Sequence, residues 1–109
     1  MNESGQLTAS EITHHMAQLH DDWELVGDHK IVRRYAFKDF VEAMDFVQAV
    51  ASLAEEQNHH PVIHLTDYKF VTLELTTHSA GGLSIKDFSF AENVSAVIED
   101  RDARVVDLE

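Results

Sequence analysis

Pro61 is the only proline in the chain. It stands just beyond a broad apolar helical pattern, so it fixes where one kind of structure gives way to another. A proline disfavours the α region for the residue before it. His60 is therefore expected to be extended, with His59 at or just past the last helical turn. Upstream, Phe40, Ala43, Met44, Val47, Val50, Ala51 and Ala54 form the apolar face of a core helix, and Asp39-Phe40-Val41-Glu42 supplies its capping signal. Downstream, Val62 to Thr66 and Phe70 to Thr77 read as a strand pair. Val71, Leu73 and Leu75 share one face, and Phe70, Thr72, Glu74 and Thr76 the other. If that strand runs to its end, His78 projects from the polar face.

The flanking segments repeat this grammar. Thr8-Ala9-Ser10-Glu11 has the form of a capping box, with Leu7 and Ile12 placed as a hydrophobic staple. A first helix to about His20 follows, with Ile12, Met16 and Leu19 as its buried stripe. Trp23-Glu24-Leu25 and Ile31 to Phe37 are β-rich around the turn residues Gly27-Asp28, which predicts a hairpin. After the corner Ser79 to Gly82, Ser84-Ile85-Lys86-Asp87 forms a third capping box, with Leu83 and Phe88 placed to staple it. Phe88, Ala91, Val94, Val97 and Ile98 mark the buried side of the last helix. The order α-β-β-α-β-β-α predicts an α+β, two-layer fold, a four-stranded antiparallel sheet with about three helices on one face. At 109 residues the chain fits one domain, 1–109, and its small core would gain from a subunit interface, so a homo-oligomer is expected.

Charge and composition exclude several functions. Phosphate binding relies on clustered Lys and Arg, and a chain with eight of them and a net charge of −12 is not built for direct nucleic-acid contact. With no cysteine, disulfide and thiolate chemistry are out. No apolar run approaches the roughly 20 residues that span a bilayer. Met1 to Gln6 carries neither the basic region nor the apolar stretch of a secretory signal, so the expectation is a soluble protein of the cytoplasm without membrane partners.

Of the eight histidines, His14, His15, His20 and His29 fall in the surface helix or a turn and are given no role. His59, His60 and His78, with Glu55 and Asp87, gather three imidazoles and two carboxylates, and imidazole is the side chain best placed to move protons near neutral pH. A metal site competes with this reading. His60 and His64 have the four-residue spacing of helical zinc ligands, but Pro61 takes them out of a helix, and on a strand they lie about 13 Å apart, too far for one ion. A site of His59, His60, His78 and a carboxylate is the remaining metal alternative. The favoured reading assigns no metal.

The spacing from Glu55-Glu56-Gln57-Asn58-His59-His60-Pro61 through Tyr68 and His78 to Asp87 resembles the signature of the pterin-4a-carbinolamine dehydratases. Trp23, the run Tyr35 to Phe40, Phe46, Thr77-His78, Gly81-Gly82-Leu83 and Ala91 are similar to family residues as well. The resemblance covers roughly Leu7 to Asp100 and leaves the tail 101–109 unassigned.

That resemblance implies an α+β fold and a 4a-hydroxytetrahydropterin substrate, which loses water to give quinonoid dihydropterin and so recycles the cofactor of aromatic amino acid hydroxylases. It implies His59, His60 and His78 as catalytic residues. Asn58, Thr76, Thr77 and Ser79, with the three histidines, match positions lining the pterin. Two imidazoles in opposite protonation states suffice for the two proton movements, so no cofactor is expected. Glu55, one turn before His59, is open to two readings, orienting that histidine or standing as an exposed carboxylate of the Glu55-Glu56 pair, and His59 is expected to be acid-like or orienting, with His60 and His78 at the reacting centre. Asp87 is open to two readings, helix capping or a part in catalysis. The family also implies dimers or tetramers, and an alternative function as a non-catalytic pterin-binding or transcriptional dimerisation-cofactor module.

Overall fold

The structure, a computed structural model, describes residues 5–100. Most of the opening segment Met1 to Gln6 and the tail 101–109 therefore lie outside the described residues. Helix α1 spans Ala9–Met16, strands β1 Glu24–Val26 and β2 Lys30–Ala36, helix α2 Phe40–Gln57, strands β3 Val62–Thr66 and β4 Phe70–Leu75, and helix α3 Ile85–Asp100. A single 3₁₀ turn, His78–Ala80, precedes α3. The four strands form one antiparallel sheet in the order β1-β2-β4-β3, as the α+β reading requires.

Local chemistry sets each boundary. The Thr8 hydroxyl accepts the Glu11 N–H while the Glu11 carboxylate accepts the Thr8 N–H, completing the expected box at α1. That helix ends at Met16 rather than His20, because the bonds Gln18 N–H to His15 O and Leu19 N–H to Met16 O tighten the chain into a turn that tucks Leu19 into the core. Both hairpins close with two residues at positive φ, Gly27-Asp28 and Asp67-Tyr68, the turn whose twist suits antiparallel strands.

The helices cover one sheet face. Ile31 and Tyr35 of β2 meet Leu75 and Val71 of β4 in register, and with Leu73 they are fully buried. Ala43, Phe46, Val50 and Ala54 are the buried stripe of α2. Phe40 and Ala51, expected on that face, are exposed: Phe40 opens the helix, and Ala51 is turned about 100° outward from Val50. From α3, Phe88, Phe90, Ala91 and Val94 complete the core. The opposite sheet face carries Val32, Arg34, Thr72, Glu74 and His64, none of them buried. Among the described residues no helix is long and apolar enough to cross a membrane.

Candidate functional site

The site forms where α2 ends. Asn58 adopts the left-handed conformation (φ 51°), which an asparagine tolerates better than most residues. Its N–H bonds Glu55 O and the His59 N–H bonds Ala54 O, the double closure of a Schellman motif. Asn58 is thus a helix terminator. The reversal carries His59 inward, where its side chain keeps 10% of its exposure, and leaves His60 outside with 58%.

His59 Nε2 lies 2.7 Å from Asp87 Oδ1. Asp87 is fully buried, and its other oxygen, Oδ2, accepts the Thr77 hydroxyl at 2.8 Å and the Ser84 N–H at 3.0 Å. A carboxylate oxygen only accepts, so Oδ1 takes the hydrogen on His59 Nε2, and His59 Nδ1 has no hydrogen-bond partner among the described residues. The hydroxyls are ordered in the same sense. Thr77 donates to Asp87, so Ser84 Oγ donates to Thr77 Oγ1 at 2.8 Å while accepting the Lys86 N–H. Asp87 therefore makes the capping interaction with the Ser84 N–H and, through its other oxygen, holds the His59 ring.

Glu55 does not reach His59 and is exposed, the second of its two readings. Its carboxylate bonds His60 Nε2 at 2.7 Å, not His59. The Schellman reversal is the reason, since it swings His59 towards α3 and leaves the next residue beside the last turn of α2. This pair is largely exposed.

His78 departs from its expected place on a strand. β4 stops at Leu75, and Thr77 and Gly82 pair across a tight corner in which the 3₁₀ turn carries His78. Gly81, at φ 76°, donates to His78 O and closes that turn in a conformation that favours glycine. His78 and Ser79 are exposed. Thr77 joins the two halves, being the residue before His78 and the partner of Asp87.

Thr77 is buried with its hydroxyl committed inward. The Thr76 hydroxyl donates to His29 O at 2.6 Å. Tyr68 is not brought to the site: it sits at the tip of the β3-β4 hairpin, one strand length, about 17 Å, from the histidines. His64 is on the open sheet face, bonded to Glu74 at 2.9 Å, while Lys30 holds the other Glu74 oxygen at 3.0 Å. These two hydrogen bonds hold the Glu74 carboxyl below its ordinary pKa. Among the described residues no three His, Cys, Asp or Glu side chains are grouped as metal ligands would be. The sequence reading treated Ser84 as a cap alone. Its hydroxyl link to Thr77 joins residues seven apart across the corner and leaves no periodic trace.

The family model for pterin 4 alpha carbinolamine dehydratase matches residues 5–97. The chain belongs to the pterin-4a-carbinolamine dehydratase family. A Picosynechococcus protein provisionally named as such a dehydratase is 48% identical over 86 residues, covering 79% of this chain and 90% of its own. A provisionally named dehydratase of Chloroflexus aggregans is 43% identical over 93 residues, covering 85% and 97%. Among solved structures, a transcriptional coactivator/pterin dehydratase from Brucella melitensis shares the fold with a TM-score of 0.78 at 35% identity, covering 84% of this chain and 97% of that one. A pterin dehydratase-like protein described as a RuBisCO assembly factor of the alpha-carboxysome gives a TM-score of 0.61 at 26% identity, with 72% and 90% covered.

Proposed function

We propose that this protein dehydrates 4a-hydroxytetrahydropterin to quinonoid dihydropterin by histidine acid–base catalysis. The carrying observation is the network His59–Asp87–Thr77, which ties the histidine pair after α2 to the corner that bears His78. In the reaction the C4a–O bond breaks, and a proton added to the departing hydroxyl releases it as water. A second proton leaves N5, and the electron pair freed there forms the C4a=N5 double bond. One group must give a proton and another must take one.

His60 and His78, the exposed members, are assigned to these transfers. His59, with Nε2 bound to a buried carboxylate, orients the pterin ring or, when Nδ1 also carries a proton, acts as the acid. Glu55 supports His60 and Asp87 supports His59. Asn58, Thr76 and Ser79 contribute backbone and side-chain groups at the rim, and Thr77 acts from behind through Asp87. The physiological role is recycling of the pterin oxidised by aromatic amino acid hydroxylases, in the cytoplasm, by a homo-oligomer.

The likeness to the carboxysome factor supports a second reading, a non-catalytic module on the same fold. One experiment separates the two. The carbinolamine is generated with a hydroxylase in the cuvette and its decay is followed with and without this protein. Faster decay in proportion to protein is the expected result, and an unchanged decay refutes the dehydratase reading.

A further inference from the structure

His78 is the one member of the three-histidine set whose ring has no hydrogen-bond partner among the described residues, whereas His59 and His60 each hold a carboxylate. Its placement therefore depends on the backbone of its corner. From inside, that corner is fastened by the Thr77 hydroxyl on Asp87. From outside, it is fastened by a segment far away in sequence. The Leu7 N–H bonds Leu83 O at 2.9 Å, beside the Thr77–Gly82 pairing, where Thr77 N–H meets Gly82 O at 2.9 Å. The Gln6 side chain lies over Gly82 so closely that a Cβ there would stand 3.0 Å from Gln6 Nε2.

The segment is itself anchored. The next residue, Thr8, is locked in the capping box of α1. That helix is docked by Ile12 in the core and by the His15 ring stacked on Phe88, the neighbour of Asp87, with ring centroids 5.1 Å apart. We propose that Gln6 and Leu7 form a strap that holds the His78 corner, and that both are positioning residues for His78. The strap's effect on turnover rests on the dehydratase reading; its effect on the geometry of His78 does not.

The test compares Leu7→Ala, which removes packing but keeps the N–H, with Leu7→Pro, which removes both. Turnover is measured with the carbinolamine assay, and the ring signals of His78 and His59 by NMR on histidine-labelled protein. A misplaced catalytic group loses turnover steeply, so kcat of Leu7→Pro should fall about tenfold below that of Leu7→Ala, with KM changed far less. The His78 signals should shift or broaden and those of His59 should stay in place. Values of kcat within twofold of each other and identical His78 signals overturn the proposal.

If Leu7→Pro does not fold, Gly82→Ala decides. Its methyl should lift Gln6 away and disturb the His78 signals, and the same substitution in a Gln6→Ala background should disturb them less. An equal disturbance in both backgrounds overturns the strap. If the wild-type protein has no dehydratase activity, the proposed reaction falls, and the His78 signals still decide for or against the strap.

Discussion

Replacing Asp87 by asparagine tests the site at its hub. The wild-type carboxylate accepts from three donors, His59 Nε2, the Thr77 hydroxyl and the Ser84 N–H. Asparagine has the same shape but only one oxygen. If that oxygen keeps Thr77 and Ser84, which share Oδ2, the amide group faces His59 Nε2 and can only donate to it. The imidazole must then adopt the tautomer with hydrogen on Nδ1 and none on Nε2. Bonds to a charged acceptor contribute about 1.5–3 kcal/mol and neutral ones about 0.5–1.5. Three bonds weakened by about 1 kcal/mol each are partly offset because the desolvation cost of a buried charge is removed, so the variant should lose roughly 1–2 kcal/mol and melt roughly 5–15 °C lower, still folded.

Activity should fall much further, by at least the ~10²-fold of a positioned acid–base group. Histidine held in the wrong tautomer costs as much as about 10⁴-fold in hydrolytic triads. Asp87→Ala is the contrast, since it strands three donors and should lose roughly 3–5 kcal/mol, a large share of a small domain's stability. The assays are urea denaturation, carbinolamine decay and the nitrogen chemical shifts of the His59 ring. An Asp87→Asn variant with the wild-type tautomer, or with activity within threefold of wild type, refutes the argument.

Other outcomes follow from the same geometry. His78→Ala, at an exposed position that leaves no cavity, should lower turnover at least ~10²-fold while melting within a few degrees of wild type, and near-normal turnover would remove His78 from the mechanism. Activity should survive exhaustive chelation, since imidazoles suffice for both transfers and His59, His60 and His64 are each bonded to a separate carboxylate; loss with EDTA and recovery with zinc would contradict this. Light scattering at micromolar concentration should report a homo-oligomer, because the small core leaves one sheet face open, and a mass near the 12.3 kDa of the chain would reject it. Glu74 has a folded pKa below its unfolded one, so its stabilisation is present above the unfolded value and lost as pH falls through the folded one. The gap in denaturation midpoint between wild type and Glu74→Gln should therefore shrink through the carboxylate range, and a gap that persists in acid would show another origin.

Much of the fold was legible because it rests on local chemistry. Capping residues at Thr8, Asp39 and Ser84 announce three helix starts, the alternation of Val71, Leu73 and Leu75 announces a strand, and Pro61 announces the junction after His59 and His60. These signals act over a few residues, so a linear reading suffices to find them. The family signature, likewise, gathered the histidines and carboxylates as a set. Partnership within that set was not legible. Sequence distance allowed Glu55 to orient His59, but the left-handed Asn58 turns the ring to Asp87, 28 residues on, and gives Glu55 to His60. The β pattern favoured an extended His78, but the pairing of Thr77 with Gly82 folds it into a turn. Nor did any period announce that Leu7 would bond Leu83. A side chain's neighbours across the chain depend on where packing brings distant segments together, and that was decided only when the sheet, the helices and the reversal after α2 were in place.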